Sequence, residues 1–403
     1  MKIIPRTLKG FRDFLPKEAR KRQYVIDALR KVFESYGFEP LETPALEYAE
    51  ILEGKYGEEG EKLMYKFEDN GGRKVALRYD QTVPLARVVA QYGNSLPLPF
   101  KRYQIQNVWR GENPQRGRFR EFLQCDIDTV GVESLLADVE IIACALNSLD
   151  RLGFKKIKLL INDRDTFEGI DNAIIGSIDK YKKVGKEDVL RELTQKGMKQ
   201  DEAKTILDKI LSTKPNARIT KIFDLIRPLL KTSLTIEFDP ILARGLDYYT
   251  GLIFEIEIEG YAAGSVCGGG RYDNLIGMFG DKQIPAVGCA FGFDRVIEAM
   301  DEFKLFPDEL LTTKVLVTVF SEELSEKSLE AVSILRKKRI NAEIYLDENS
   351  KMDKQLKYAD AKVIPYVVII GTREAESNSA TIKNMKTGEQ QTIPIELLPD
   401  LIK

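Results

Sequence analysis

Two alternating runs joined by a basic loop constrain this fold more than any other feature. Residues 100–110 and 120–129 each alternate polar and apolar side chains, the two-residue period of a strand. Between them lies 111–119, which holds Gly, Pro, Asn and Arg. Strands joined by so short a loop pair antiparallel, so the pattern predicts a long hairpin with a cationic tip.

The flanking segments fill in the architecture. Residues 17–36 read as a helix, with Tyr24, Ile26, Leu29, Val32 and Phe33 near helical spacing and Gly37 as its stop. Pro40 and Pro44 make 38–46 extended and irregular. A short strand over 75–79 runs into Asp80-Gln81-Thr82, a cap for a helix over 83–91. Residues 133–152 form an amphipathic helix ended by Gly153, and 234–238, 253–258 and 286–291 read as strands. The last enters a helix near Asp294. Residues 171–231 are rich in Lys, Glu and Asp with helical periodicity over 187–196 and 201–211, the pattern of a small helical insertion. Residues 303–313 read as a linker. Beyond it, strands at 315–320, 342–346 and 366–371 alternate with helices at 325–338 and 351–361, predicting a compact α/β domain with a partly parallel sheet. The expected division is 1–308, with the insertion 171–231 inside it, and 314–403.

Composition narrows the chemistry. The 403 residues carry 61 Lys+Arg against 63 Asp+Glu, so a globally basic coat for nucleic acid is excluded and any polyanion must meet a local patch. The chain has no histidine, which removes every mechanism that needs a protein imidazole. Cys125, Cys144, Cys267 and Cys289 form no CxxC pair, so no metal site built on protein His or Cys is expected. Buried thiols in a reducing compartment account for them. Residues 1–10 lack the apolar run of a signal peptide, and no stretch approaches a membrane-spanning length. A cytoplasmic enzyme is the expectation.

Candidate site residues cluster in glycine-rich or strand-like frames. Arg110 closes a strand, Arg244 sits between Ala243 and Gly245, and Arg295 follows Gly292-Phe293-Asp294. A surface ion pair explains any one of them; three in small-residue settings point to convergence on one polyanion. Asp80 is either a helix cap or the acceptor for a substrate ammonium, with Thr82 beside it. Gln124, Asp126 and Asp128 share one strand face, which is either solvated or the floor of a polar pocket. Gly268-Gly269-Gly270 is either a sharp turn or a floor for a flat group. Its surroundings match neither a P-loop nor a dinucleotide fingerprint.

Taken together, these stretches resemble the class II aminoacyl-tRNA synthetases, and within them the histidyl-tRNA synthetase family. The resemblance spans nearly the whole chain. Residues 10–16 (GFRDFLP) with 38–46 are similar to the first class motif, 101–131 to the second and 286–295 to the third. ARGLDYYTG and SVCGGGRYDNLIG look like the two histidine-specific signatures, and 315–403 resembles the anticodon-binding domain. LRYDQT and ARGLDYYTG look closer to the archaeal and eukaryotic branch than to typical bacterial forms. The implied substrates are ATP with Mg²⁺, L-histidine and tRNA(His), and the implied assembly is a homodimer. The resemblance puts Arg110 on the α-phosphate and substrate carboxylate, Arg295 with Glu112 and Gly292 on ATP, and Arg244 on the charge at the α-phosphate. Asp80, Thr82 and Gln124 would take the ammonium and carboxylate ends, Asp128 and Tyr249 the imidazole, Tyr248 would also bind the histidine, and Gly268, Gly269 and Gly270 would line the adenylate. The implied fold is an α+β catalytic domain built on an antiparallel sheet, with a small helical insertion and a C-terminal α/β anticodon-binding domain. Gln115, Arg116 and Arg118, with Arg120, would approach the tRNA acceptor end, and 336–339 is a candidate phosphate contact. Where the family often has Glu, this chain has Asp at 80 and 128. Asp128 can accept and Tyr249 donate, so an apolar competitor leaves both unpaired, a mismatch worth about 10⁴-fold or more; no editing domain is expected. The alternative is the synthetase-like regulatory subunit of ATP phosphoribosyltransferase, which typically lacks the histidine signatures and the C-terminal domain.

Overall fold

The computed structural model describes residues 3–115, 117–229, 234–243, 248–280, 282–307, 310 and 313–402. They form two compact units, Met1–Phe306 and Pro307–Lys403.

The larger unit is built on an eight-stranded sheet in the order Glu39–Pro40, Phe100–Trp109, Glu121–Val130, Ala286–Gly292, Cys267–Arg271, Leu252–Ile258, Ile157–Asp163, Leu234–Phe238. Only the two outermost pairs are parallel; every inner pair is antiparallel. The predicted hairpin is its second and third strand. Alternation then sorts the faces. Cys125 and Ile127, Val287 and Phe291, and Phe254 and Ile256 enter the main apolar core. Helices flank that core: Pro16–Ser35 through Val25, Leu29 and Phe33, Leu135–Arg151 through Ile141 and Leu149, and Phe293–Glu302 through Val296 and Met300. Val25 completes the first stripe at four-residue spacing with Leu29 and Phe33, while Tyr24, Ile26 and Val32 flank it half-buried. The helix ends where Gly37 takes φ +75°, a conformation costly for any side chain.

A smaller antiparallel sheet, Leu46–Tyr48 with Lys74–Leu77 and Lys66–Glu68, lies beside the first. The Lys/Glu-rich segment forms the expected helices, and Ile178, Val189, Leu193, Ala203, Leu207 and Ile210 form a second core together with Phe167, Ile241, Ala243, Tyr249 and Ile253 from outside the segment. Its final helix, Ala217–Ile226, instead sends Ile219, Ile222 and Ile226 into the main core. All four cysteines are buried and free. None of the described helices is long and apolar enough to cross a membrane.

The smaller unit carries parallel strands Ala342–Ile344, Val315–Val317 and Tyr366–Ile369, then an antiparallel pair, Ser379–Asn384 and Gln390–Pro394, that the sequence reading did not include. Gln355 is fully buried at its centre: its amide donates to the Val319 and Ser350 carbonyls and accepts from the Val319 N–H.

The glycine triplet is not a turn. Gly268, Gly269 and Gly270 lie inside the buried strand Cys267–Arg271. A Cβ on Gly269 would stand 2.1 Å from the Gly288 carbonyl oxygen and 2.5 Å from Cys289 Cβ. Gly269→Ala should therefore force two central strands apart and lower stability by about 1–3 kcal/mol, read as a lower urea midpoint for the larger unit; an unchanged midpoint would refute the close packing.

Candidate active site

The sheet's open face reads as rows of cross-strand neighbours. One row runs Arg102, Asp128, Gly288, Gly270. The next runs Gln104, Asp126, Ala290, Gly268, Glu255. A third sets Gln106, Gln124 and Gly292 side by side. Small residues in the middle strands leave a floor on which side chains from Glu121–Val130 can lie. A Cβ on Gly288 would come within 1.9 Å of Asp128 Oδ1.

Two lobes of one cavity stand over this floor and share Arg110, Glu112, Arg118, Gln124, Glu255 and Ala290. The first lobe is acidic and aromatic. Asp80, Asp126 and Asp128 line it, each 2–3% exposed. The phenol of Tyr56 donates to Asp80 Oδ1 (2.8 Å), Tyr248 to Oδ2 (3.4 Å), and the Val83 N–H reaches Oδ1 (3.1 Å). Asp80 is thus cap and pocket acid at once, and its two sequence readings are not alternatives. Asp128 faces Arg102 Nη2 at 2.7 Å and accepts from the Tyr272 phenol. Gln124 donates to Asp126 Oδ2 (2.9 Å), while no donor among the described residues reaches Asp126 Oδ1 or Gln124 Oε1. Burial pushes all three carboxyls above the ordinary carboxylate range, Asp126 furthest. The Arg102 charge is the main opposing influence at Asp126 and Asp128; at Asp80 the Val83 N–H, the Tyr56 phenol and Arg110 oppose burial ahead of Arg102. Thr82 opens the helix Thr82–Tyr92 and lines the same lobe, with Tyr248, Tyr249 and Tyr272. A face this deeply buried excludes the solvated reading of Gln124, Asp126 and Asp128.

The second lobe is cationic. Arg110, Arg118 and Arg295 line it with Glu112, Gly268 and Gly292. Arg110 Nε donates to the Tyr79 carbonyl (3.0 Å), and its guanidinium lies 4.5 Å from the Tyr79 ring and 5.2 Å from that of Phe122. This fixes the plane of the cation at the junction of the lobes. Arg295, in the first turn of Phe293–Glu302, donates to the Ser265 carbonyl (2.9 Å). Its neighbour Asp294 binds Arg12 (2.8 Å) and Arg22 (2.7 Å), tying residues 10–16 to the third motif.

Of the expected residues, Arg116 and Arg244 lie outside the described residues. Gln115 and Arg118 bridge each other through their backbones at the rim. Gly269 and Gly270 sit within the sheet, and Gly268 alone of the three lines the cavity. Arg120 does not join the tip: its guanidinium donates to the Glu112 and Lys9 carbonyls, so it braces the loop against residues 9 and 10. The sequence reading missed Glu255, Tyr56, Tyr272 and Arg102. Glu255 was visible as one of the acids alternating with Phe254 and Ile256; Tyr56 carried no local signal.

An antiparallel core carrying three motif segments, an arginine between a cationic and an acidic lobe, and a separate α/β unit define a class II aminoacyl-tRNA synthetase. Comparison with known proteins resolves the family. Residues 10–184 and 175–296 match the profile of histidyl-tRNA synthetase, and 314–403 match that of an anticodon binding domain. The histidine–tRNA ligase of Cytophaga hutchinsonii is 41% identical, covering 96% of each chain; that of Rhodopirellula baltica is 38% identical over 97% of this chain and 96% of its own. The crystal structure of histidyl-tRNA synthetase from Nostoc sp. PCC 7120 superposes with a TM-score of 0.83 at 31% identity, covering 98% of both chains. The chain belongs to the histidyl-tRNA synthetase family.

Asp294→Ala would leave Arg12 and Arg22 without their shared carboxylate. Burial already pulls the Arg22 guanidinium below its ordinary range, against the pull of Asp294. We expect a loss of about 1–3 kcal/mol, seen as a lower melting temperature with increased proteolysis of residues 3–15; wild-type melting would show the clamp to be idle.

Proposed function

We propose that the two lobes receive histidine and ATP side by side, so that the chain forms histidyl-adenylate with release of pyrophosphate and then esterifies the 3′ end of tRNA(His). The observation that carries this reading is the placement of Arg110 between buried carboxylates on one side and arginines on the other. The histidine carboxylate attacks the α-phosphorus and the bond to pyrophosphate breaks. The nucleophile is already an anion, so alignment and charge neutralisation suffice and no protein base is required. A terminal ribose hydroxyl of tRNA then attacks the acyl carbonyl and AMP leaves.

The reading assigns these roles. Arg110 holds the α-phosphate and the substrate carboxylate, and Arg295, with Gly292 before it, the γ-phosphate end. Asp80, Thr82 and Gln124 bind the ammonium and carboxylate ends, and Asp128 and Tyr249 meet the imidazole, with Tyr248 supporting Asp80. Gly268 admits the adenylate to the floor. Mg²⁺ accompanies ATP; Glu112 and Glu255, on the wall both lobes share, offer the oxygen donors it takes, and it would there offset phosphate charge. Gln115, Arg116 and Arg118 approach the acceptor end, and Arg244 stabilises the α-phosphate. Exposed Leu46, Tyr48 and Phe67 on the small sheet support a homodimer, and four reduced, buried thiols support a cytoplasmic setting.

ATP–pyrophosphate exchange measured with each amino acid in turn tests the reading: stimulation by histidine alone is expected, and silence or stimulation by another amino acid overturns it. Within that assay Arg295→Ala should raise KM for ATP about 10–100-fold while KM for histidine stays within about threefold. Arg244→Ala should cut adenylate formation by about 10²-fold or more with unchanged melting; near-normal turnover would remove Arg244 from its role.

A further inference from the structure

Arg102 is the largest fully buried side chain in the described protein, and none of the roles above uses it. It lies directly across the strand pair from Asp128, and its shortest polar approach is to that carboxylate, 2.7 Å between Nη2 and Oδ2. Its other contacts are longer: Nη1 to Gln104 Oε1 at 3.2 Å and Nη2 to the Gln81 carbonyl at 3.3 Å. A fully desolvated guanidinium is costly unless something needs its charge. Three buried carboxylates surround this one.

We propose that Arg102 is a specificity-determining positioning residue, which holds Asp128 as a fixed, charge-balanced acceptor for the N–H of a neutral imidazole ring. This rests on the reading of the acidic lobe as the histidine site. The argument has two parts. Orientation comes first: the Tyr272 phenol donates to Oδ1, while the Arg102 guanidinium stands 2.7 Å from Oδ2, which has no hydrogen-bond donor among the described residues, so one oxygen is anchored and the other faces a cation yet remains open to a donor. Charge comes second. A lone buried carboxylate gains most from a cationic ring; one already matched by a guanidinium gains little from a second positive charge and still accepts a hydrogen bond. Asp80 and Asp126 are left for the substrate's ammonium.

Each element packed around Asp128 contributes a named group. Arg102 faces it from Phe100–Trp109, Asp126 from its own strand, and Tyr272 from the end of Cys267–Arg271. Asp80 faces it from the turn before Thr82–Tyr92, backed by Tyr56, Tyr248 and Arg110. Gly288 and Cys289 lie beneath it on Ala286–Gly292. Burial raises the Asp128 carboxyl, and the Arg102 charge opposes this more strongly than the Tyr272 hydrogen bond does. Removing the guanidinium raises it further, so the ionised acceptor exists only at higher pH.

The test is the pH profile of kcat/KM for histidine in ATP–pyrophosphate exchange. In the wild type the acidic limb should follow protonation of the free imidazole, near about pH 6.5. Arg102→Met should move that limb up by about 1–3 in pH and raise KM for histidine at pH 7 by about tenfold or more, with KM for ATP within about twofold. Arg102→Lys, which keeps the charge, should hold the limb near its wild-type position. A limb that stays put in a folded Arg102→Met overturns the proposal, because a packing role would lower activity at every pH alike. A second readout needs no variant. Calorimetry of histidine binding to the wild type at pH 6, in two buffers of different ionisation enthalpy, should show release of about half a proton or more; absence of release means the charged ring binds, and overturns the proposal. Wild-type exchange at pH 7.5 is the control: without it the histidine reading itself fails, whereas normal exchange with an unmoved limb removes only the role of Arg102.

Discussion

The site depends on a missing side chain. Asp128 extends across the sheet because its neighbour in the row is Gly288; any Cβ there would occupy the place of Oδ1. Gly270, next in the row, is pressed against the Leu252 carbonyl and the Tyr249 ring and has no room for a Cβ either. The glycines thus serve close approach within a buried sheet, where φ is ordinary, rather than a left-handed turn. Close approach makes a flat floor, and a flat floor lets long polar side chains from one strand lie over the next two. The acidic lobe, the row of Gln124, Asp126 and Asp128, and the opening between the lobes all follow from that geometry.

Such a floor is electrostatically incomplete. Three carboxylates with 2–3% exposure have one fully buried guanidinium among them and a second, Arg110, at the lobe's edge. Desolvation raises each acid, and the lobe regains balance only when a cation enters. Local rules that stabilise the rest of the chain are broken here, at the place where, in the proposed reading, substrate supplies what is missing. Contrast Asp138 and Arg271, also buried: Arg271 Nε and Nη2 both donate to Asp138 Oδ1, at 3.0 and 2.8 Å. Burial still raises the Asp138 carboxyl to about 6, with Arg271 opposing, but this pair lines neither lobe and joins Leu135–Arg151 to the Cys267–Arg271 strand.

Elements set by local periodicity were legible in the sequence: the helix Pro16–Ser35 to within a residue, the hairpin to within one at each strand, and the alternation of strands and helices after residue 314. What periodicity does not encode was not. Gly268-Gly269-Gly270 has the composition of a turn and becomes a strand because neighbouring strands pair with it on both sides. Ser379–Asn384 and Gln390–Pro394 are polar runs on a half-exposed ladder, with too few apolar residues to announce themselves. Ala217–Ile226 has the same amphipathic pattern as the helices before it, and only tertiary packing assigns it to the main core. Arg110 and Arg295 were found through their small-residue surroundings. Arg102, beside Lys101 and Tyr103, carries no such mark; its meaning lies in the cross-strand register that puts it opposite Asp128.

The position of Arg110 joins the charge pattern to the absence of histidine. A reaction between a carboxylate and a polyphosphate brings two anions together, and the barrier to that approach is electrostatic before it is chemical. A protein imidazole would add little, since no proton has to leave the nucleophile. A cation fixed midway adds much, provided it does not collapse onto either anion. Arg110 meets that condition through neutral contacts: its Nε is anchored on the Tyr79 carbonyl and its face lies against Tyr79 and Phe122, so orientation costs none of its charge. Had an acid of the floor served as its anchor, the guanidinium would reach both substrates already neutralised. Asp126 and Asp128 instead have Arg102, eight residues back along the same stretch of chain, and the separation of those two arginines keeps the lobes opposite in sign across a single shared wall.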